Sequence, residues 1–96
     1  MTASLALVTR NLAGELQRTF AAGELSPKLD DALCAYVSYF RDRDIPARRI
    51  VDTACVLIDR AKSDRLSSDP AGTDTAERIA AEVIDSCLAN CMRGAG

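Results

Sequence analysis

The sequence predicts an all-α protein, a four-helix bundle of up-down-up-down topology that dimerisation can complete. Four segments of the 96-residue chain carry apolar side chains at spacings of three and four, which places these side chains on one face of a helix. Proline, glycine and polar clusters separate the segments. No segment alternates apolar and polar residues as a half-buried strand does. We therefore expect a single helical domain over residues 1–96.

The first two helices are predicted over residues 4–22 and 27–43. The stripe of the first helix consists of Leu5, Val8, Leu12, Leu16 and Phe20. The stripe of the second consists of Leu29, Leu33, Tyr36, Val37 and Phe40. Gly23 is suited to the left-handed residue that often ends a helix. Ser26 followed by Pro27 is typical of an N-cap and a first helical position.

The third and fourth helices are predicted over residues 46–66 and 75–92, with a flexible loop over about 67–74. The third stripe consists of Ala47, Ile50, Val51, Ala54, Leu57, Ile58 and Ala61. The fourth consists of Ile79, Ala80, Val83, Ile84, Cys87, Leu88 and Cys91. Because only two or three residues link the second helix to the third, we expect these two helices to be antiparallel neighbours.

Charge and composition indicate a cytoplasmic protein. Twelve basic and fourteen acidic residues give a net charge of −2, and no basic field of the kind that dominates nucleic-acid affinity is present. No segment is apolar enough over its length to span a membrane. The apolar run at 5–8 lacks a basic leader and is too short for a signal peptide. The four cysteines are then expected to be reduced thiols.

The residue types argue against an enzyme. The chain contains no histidine, which removes every mechanism that needs an imidazole base or ligand. No glycine-rich phosphate loop is present. The adjacent carboxylates of Asp30 and Asp31 fall in the first turn of the second helix, where acidic residues favour the helix dipole. We expect no catalysis and no cofactor.

Some apolar residues lie off the stripes and suggest an interaction surface. Val56 projects to the polar side of the third helix, among charged residues that include Arg49 and Arg60. Leu7 lies off the stripe of the first helix in the same way. Single exposed apolar residues are normal, whereas a contiguous group marks an association site. The sequence therefore predicts a protein–protein interaction module, either a homodimer or an adaptor or regulatory subunit.

A thiol-based function is the first alternative. Cys87 and Cys91 are four residues apart on the fourth helix, so their sulfurs lie on one face, one turn apart. Two such thiolates can bind Cu(I) or form half of a tetrahedral zinc site, or they can take part in redox chemistry. Buried cysteine also packs as a small apolar residue, and this is the interpretation that we prefer for the pair.

Nucleic-acid binding is the second alternative. Arginines bracket the tight turn at Pro46, a position where a helix-turn-helix contacts phosphate. They are Arg41, Arg43, Arg48 and Arg49. Asp42, Asp44 and Asp52 interleave with them, and Arg48 has the spacing to pair with Asp52 on the helix surface. The neutralised cluster favours a solvated face, so we do not expect a nucleic-acid partner.

Overall fold

The computed structural model describes residues 4–93, which form four α-helices joined by short connections. The helices are α1 (Leu5–Ala22), α2 (Leu29–Arg41), α3 (Ala47–Ser68) and α4 (Thr73–Arg93). No strand occurs between residues 4 and 93, which confirms the predicted all-α class. The two ends of the predicted domain, residues 1–3 and 94–96, lie outside the described residues.

Both ends of α1 are capped, and the cap at Gly23 is the one that its sequence predicts. The Ser4 hydroxyl accepts a hydrogen bond from the backbone N–H of Leu7 at 3.1 Å, which satisfies one of the donors that a helix start leaves open. At the other end Gly23 has a φ of 77°, and its N–H bonds to the carbonyl of Thr19 at 3.0 Å. Glycine adopts this left-handed conformation without steric cost, so it ends the helix there.

The start of α2 differs from the prediction, because the helix begins at Leu29 and not at residue 27. Ser26 does not cap it. The Ser26 hydroxyl donates to the carboxylate of Glu15 at 2.8 Å, and its backbone N–H donates to the hydroxyl of Thr19 at 3.1 Å. Ser26 thus ties the α1–α2 connection to α1, and Lys28 occupies the N-cap position without a side-chain bond.

The end of α2 has the hydrogen bonds of a Schellman motif. The N–H of Ile45 bonds to the carbonyl of Phe40 at 3.1 Å, and the N–H of Asp44 bonds to that of Arg41 at 3.0 Å. Asp44 itself has a φ of 59°, a left-handed conformation that aspartate tolerates better than most residues. Ile45 packs against the core, which anchors the turn into α3.

The segment predicted as a flexible loop, residues 67–74, contains instead the end of α3, a 3-10 turn at Pro70–Gly72 and the start of α4. The Asp69 carboxylate accepts from the N–H of Ala71 at 3.3 Å, and the Thr73 hydroxyl donates to the carbonyl of Pro70 at 2.8 Å. Polar side chains that are typical of loops here form local bonds that join the two helices almost directly.

The packing order of the helices also differs from the prediction. α1 packs mainly against α2 and α3, and α4 packs mainly against α3 and α2. The least contact is between α2 and α3 and between α1 and α4. Consecutive helices α2 and α3 therefore lie across a diagonal of the bundle and are not neighbours, because the Schellman turn carries the chain across the end of the bundle.

One contiguous core joins all four helices, and the chain has a radius of gyration of 13.1 Å, the value of a compact domain of this length. The buried apolar residues are Val8, Leu12, Leu16, Phe20, Leu29, Ala32, Leu33, Tyr36, Val37, Ile50, Ala54, Ile58, Ala61, Ala76, Ile79, Ala80, Val83, Cys87 and Cys91. Most of the predicted stripe residues belong to this set. In the described part of the chain, no helix has the length and hydropathy of a membrane span.

The edges of the predicted stripes are more exposed than expected. Leu5 and Leu88 are 46% and 41% exposed, Ala47 is exposed, and Ile84 is only half-buried. Leu88 lies about 100° round the helix from the buried Cys87, so it falls at the side of α4. A stripe identifies the buried face of a helix, but its outermost members depend on where the neighbouring helices end.

Candidate functional site

A groove opens at one end of the bundle, where the start of α1, the end of α2 and the first half of α3 meet. We call it the apolar groove. Its lining consists of Leu5, Thr9, Tyr36, Phe40, Arg49, Asp52, Thr53, Val56 and Leu57. Three helices contribute, so the groove exists only in the folded protein.

The floor of the apolar groove is formed by aromatic and aliphatic side chains. Tyr36 is 1% exposed, and Phe40 and Leu57 are partly buried against the core. The rings of Tyr36 and Phe40 meet edge to face with centroids 4.9 Å apart, a favourable arrangement for aromatic pairs. Tyr39 packs against the same Phe40 ring at 5.4 Å. The floor is therefore held in place by its own packing.

Two exposed apolar side chains stand at the rim of this groove. Val56 is 58% exposed and Leu5 is 46% exposed, and both line the same opening. An isolated exposed valine needs no explanation. Here two such side chains adjoin an apolar floor, and the contiguous surface has the character of an association site.

The rim also carries one charge of each sign. Arg49 and Asp52 both line the groove and both are exposed. Among residues 4–93, no acidic group lies within salt-bridge distance of Arg49 or of Arg48, so the predicted Arg48–Asp52 pair is not formed. The Thr53 hydroxyl donates to the Arg49 carbonyl at 2.8 Å, which leaves the threonine without need of an outside partner.

The structure brings together two of the four residues predicted for an interaction surface. Val56 and Arg49 line the apolar groove. Leu7 is 48% exposed and Arg60 is exposed, but neither is part of the lining. The stripe pattern assigned the remaining apolar lining residues to the core. Nothing in the sequence marks the edge of that core as open, because this depends on the lengths and crossing of three helices.

The predicted thiol pair lies in the core. Cys87 and Cys91 are 0% and 3% exposed, and Cys55 is half-buried nearby on α3. Burial, together with the neighbouring sulfurs of Cys91 and Cys55, raises the pKa of Cys87 to about 12. Burial and the carboxylates of Asp59 and Asp52 raise the pKa of Cys55. Thiols that remain protonated at neutral pH are poor nucleophiles and poor metal ligands.

In the part of the chain that the structure describes, the sulfurs lack the further ligands that a tetrahedral zinc site requires. Within the described part of the chain, no three cysteine or carboxylate side chains are arranged to hold a metal ion. Cys34 is exposed on α2, apart from the buried pair. The same burial that affects Cys87 raises the pKa of Tyr36 to about 12, with the Cys87 thiol as a second cause. Tyr36 and Cys87 therefore belong to one neutral, desolvated region beneath the apolar groove.

The arginines that bracket Pro46 have different surroundings. The Arg43 guanidinium lies 3.6 Å from the centroid of the Tyr39 ring and donates to the Tyr39 carbonyl at 2.9 Å. It is thus folded back on α2 in a cation–π contact. Arg49 faces the apolar groove. This division reduces the positive surface that a phosphate backbone would contact.

A second groove lies on the other side of α1, between α1 and α2, and we call it the polar groove. Its lining includes Arg10, Glu15, Arg18 and Lys28. The nearly buried carboxylate of Glu15 accepts hydrogen bonds from Arg18 at 2.6 Å and from Ser26 at 2.8 Å. The Glu15 carboxylate is therefore engaged within the protein.

The apolar groove remains the strongest candidate for a functional site, because it combines an apolar floor, exposed apolar side chains and a charged rim. Comparisons of the chain with protein-family models, with curated proteins and with solved structures find no match.

Proposed function

We propose that this protein is a protein–protein interaction module, an adaptor or regulatory subunit without catalytic activity. Its apolar groove receives apolar side chains of a partner. The observation that carries the proposal is the exposure of Leu5 and Val56 beside a floor built from Tyr36, Phe40 and Leu57. Covering this surface removes apolar area from water, the main driving force of protein association.

The free energy available from covering the exposed apolar side chains is that of a moderate interface. Complete burial of a valine or leucine contributes about 1.5–3 kcal/mol relative to full exposure. Because Leu5 and Val56 are each about half exposed, burying the remainder contributes roughly 1 kcal/mol from each. The floor adds to this, and the rim charges of Arg49 and Asp52 select among partners more than they add affinity.

We also propose the up-down-up-down topology for the bundle, completed by a second copy or another protein. The meeting of the start of α1, the end of α2 and the start of α3 at the apolar groove supports it. So does the opposite end, where the end of α1 lies beside the end of α3 and the start of α4. In such a bundle only one face of each helix is covered from within.

The thiol and nucleic-acid alternatives have less support. The raised pKa of Cys87 argues against a thiolate function for the Cys87–Cys91 pair, and the contact of Arg43 with Tyr39 argues against a continuous basic surface. The cysteines of the described chain are unpaired, which supports a cytoplasmic location, where thiols remain reduced.

Photocrosslinking from the groove tests the proposed function. Val56 is replaced by the photoreactive residue p-benzoylphenylalanine in cells that express the protein, and irradiation follows. We expect a covalent adduct with another polypeptide, because a partner seated in the groove lies against this position. The same replacement at Leu7 is the matched control, since Leu7 is 48% exposed but lies outside the groove.

An adduct at position 56 together with little or none at position 7 supports a docking groove. Equal yields at both positions indicate collisions with no preferred surface and contradict the proposal. The absence of any adduct at position 56 also contradicts it, provided that circular dichroism shows the same helix content as in the unmodified protein.

A further inference from the structure

We infer that the partner received by the apolar groove is a second copy of this chain, joined about a twofold axis. This inference rests on the proposed function, since it names the partner of the same groove. A twofold interface uses one patch on both sides, so the patch must be complementary to itself. The apolar groove fulfils this condition in both shape and charge.

The shape is self-complementary because the patch has a recess and a projection side by side. The recess is the part of the groove whose floor is Phe40 and Leu57, and the projection is Val56, with 58% of its surface exposed. Two copies of α3 that cross in antiparallel directions, about an axis that passes between Arg49 and Asp52, place Val56 of each chain over the groove of the other. Because the axis is twofold, the Val56 side chain of each copy fills the recess of the other.

The charge is self-complementary because the rim holds Arg49 and Asp52 three residues apart on α3. Within residues 4–93, Arg49 has no acidic partner at salt-bridge distance. In the antiparallel crossing, Arg49 of each chain lies beside Asp52 of the other, and the symmetry forms this pair twice. A rim of a single sign would instead repel its own copy.

The test is a charge exchange followed by analytical ultracentrifugation over a wide range of protein concentration. Arg49→Glu makes the rim wholly acidic and Asp52→Arg makes it wholly basic. We expect each variant alone to associate more than about tenfold more weakly than the original protein, because like charges then face each other twice. An equimolar mixture of the two variants should associate again, as should the double variant Arg49→Glu/Asp52→Arg.

Arg60→Glu is the matched control. Arg60 is an exposed arginine on the same helix and is absent from the lining of the groove, so its reversal should leave the association constant within about twofold. Circular dichroism of each variant checks that the fold is retained. Loss of association that the mixture does not restore contradicts the Arg49–Asp52 pairing, and an equal loss in Arg60→Glu contradicts the placement of the axis.

Failure of this inference is distinguishable from failure of the proposed function. If the original protein sediments as a 10.3 kDa monomer at all concentrations, the second copy is excluded as the partner. Where the protein does self-associate, the mass of the adduct formed by p-benzoylphenylalanine at position 56 tests the two proposals together. A mass of twice the chain supports both proposals, another mass retains the docking groove and overturns the homodimer, and the absence of an adduct overturns both.

Discussion

The two grooves that flank α1 differ in how their polar groups are satisfied. In the polar groove, the Glu15 carboxylate accepts from Arg18 and Ser26, and the Thr19 hydroxyl accepts from the Ser26 backbone. In the apolar groove, the floor is aromatic and aliphatic, and the rim arginine Arg49 has no acidic partner among the described residues. The buried polar groups of the first groove are bonded within the chain, whereas the second groove exposes apolar side chains that another chain can cover.

The difference shows how a small bundle divides its limited apolar surface. A chain of this length buries only about 60–65% of its unfolded surface, and its aromatic content is 4%. Hydrogen bonds from Ser26 to Glu15 and Thr19 hold the α1–α2 connection against α1. The α1–α3 seam contains Leu5 and Val56 and remains open. Substitutions of the bonded residues beside the polar groove should therefore change the free energy of unfolding, and substitutions in the apolar groove should change the association constant.

The largest expected effect on the free energy of unfolding comes from substitutions in the core. This effect is the reference against which substitutions in the two grooves are compared. Ile79 is fully buried on α4, and Ile79→Ala should lower the free energy of unfolding by about 2–5 kcal/mol, because it leaves a cavity. Ile84, on the same helix, is half-buried, so Ile84→Ala should cost about 1–2 kcal/mol. Urea unfolding followed by circular dichroism measures both. Equal losses would place the two side chains at the same depth.

The next prediction compares the stability effect of one threonine substitution beside each groove. Thr19 is completely buried, and its hydroxyl accepts from the N–H of Ser26. Thr19→Val leaves this donor unsatisfied and should lower the free energy of unfolding by about 1–3 kcal/mol. Thr9→Val is the matched control, because Thr9 lies on the same helix but lines the apolar groove. Its replacement should change stability by less than about 0.5 kcal/mol.

A loss of stability in Thr9→Val as large as that in Thr19→Val would contradict the comparison of the grooves. It would mean that the α1–α3 seam also depends on polar bonds within the chain. The measurement is the midpoint of urea unfolding at constant slope, since a changed slope would indicate a change in the unfolded state.

The sequence predicts which residues of α1 face the core, but not why the two seams differ. Leu12 and Leu16 lie in the predicted stripe and are fully buried. Glu15 and Thr19 are buried as well, and their polar type gave no reason to expect it. Their burial depends on Ser26, a residue from the next connection that supplies the hydrogen bonds. Such long-range satisfaction of polar groups has no periodic signal in the sequence.

The candidate site is predictable to a similar extent. Helical projection alone places Val56 on the outer side of α3, where the structure has it. That Phe40 of α2 lies beside it depends on how α2 and α3 are placed in the bundle, and the Schellman turn at Asp44 joins these two helices. A short link favours neighbouring helices in general, and the sequence carries no strong signal for this exception.

Alkaline pH should reveal the desolvated region beneath the apolar groove. Burial raises the pKa of Tyr36 from 10.0 to about 12, and that of Cys87 from 9.0 to about 12. Between these values the unfolded chain releases protons that the folded chain retains, so the free energy of unfolding falls as pH rises above about 9. The slope reaches about 1.4 kcal/mol per pH unit for each group.

Tyr36→Phe isolates the contribution of the tyrosine. Because phenylalanine does not titrate, the stability of this variant should fall less steeply than that of the original protein between pH 10 and 12. Below pH 9 the two curves should run parallel. Parallel curves over the whole range would show that the Tyr36 hydroxyl is solvated, and the floor of the groove would then be wetter than the structure indicates.

The smallest expected effect on stability is at Val56, the residue that we expect to contribute most to association. Val56→Ala should change the free energy of unfolding by less than about 0.5 kcal/mol, because 58% of the side chain is exposed. Alanine also has a higher helix propensity than valine, so the sign can be slightly stabilising. Leu7→Ala should behave similarly in urea, but only Val56→Ala should weaken self-association in ultracentrifugation. A substitution that leaves the monomer as stable and weakens the dimer separates docking from folding, and this separation is what the open groove predicts.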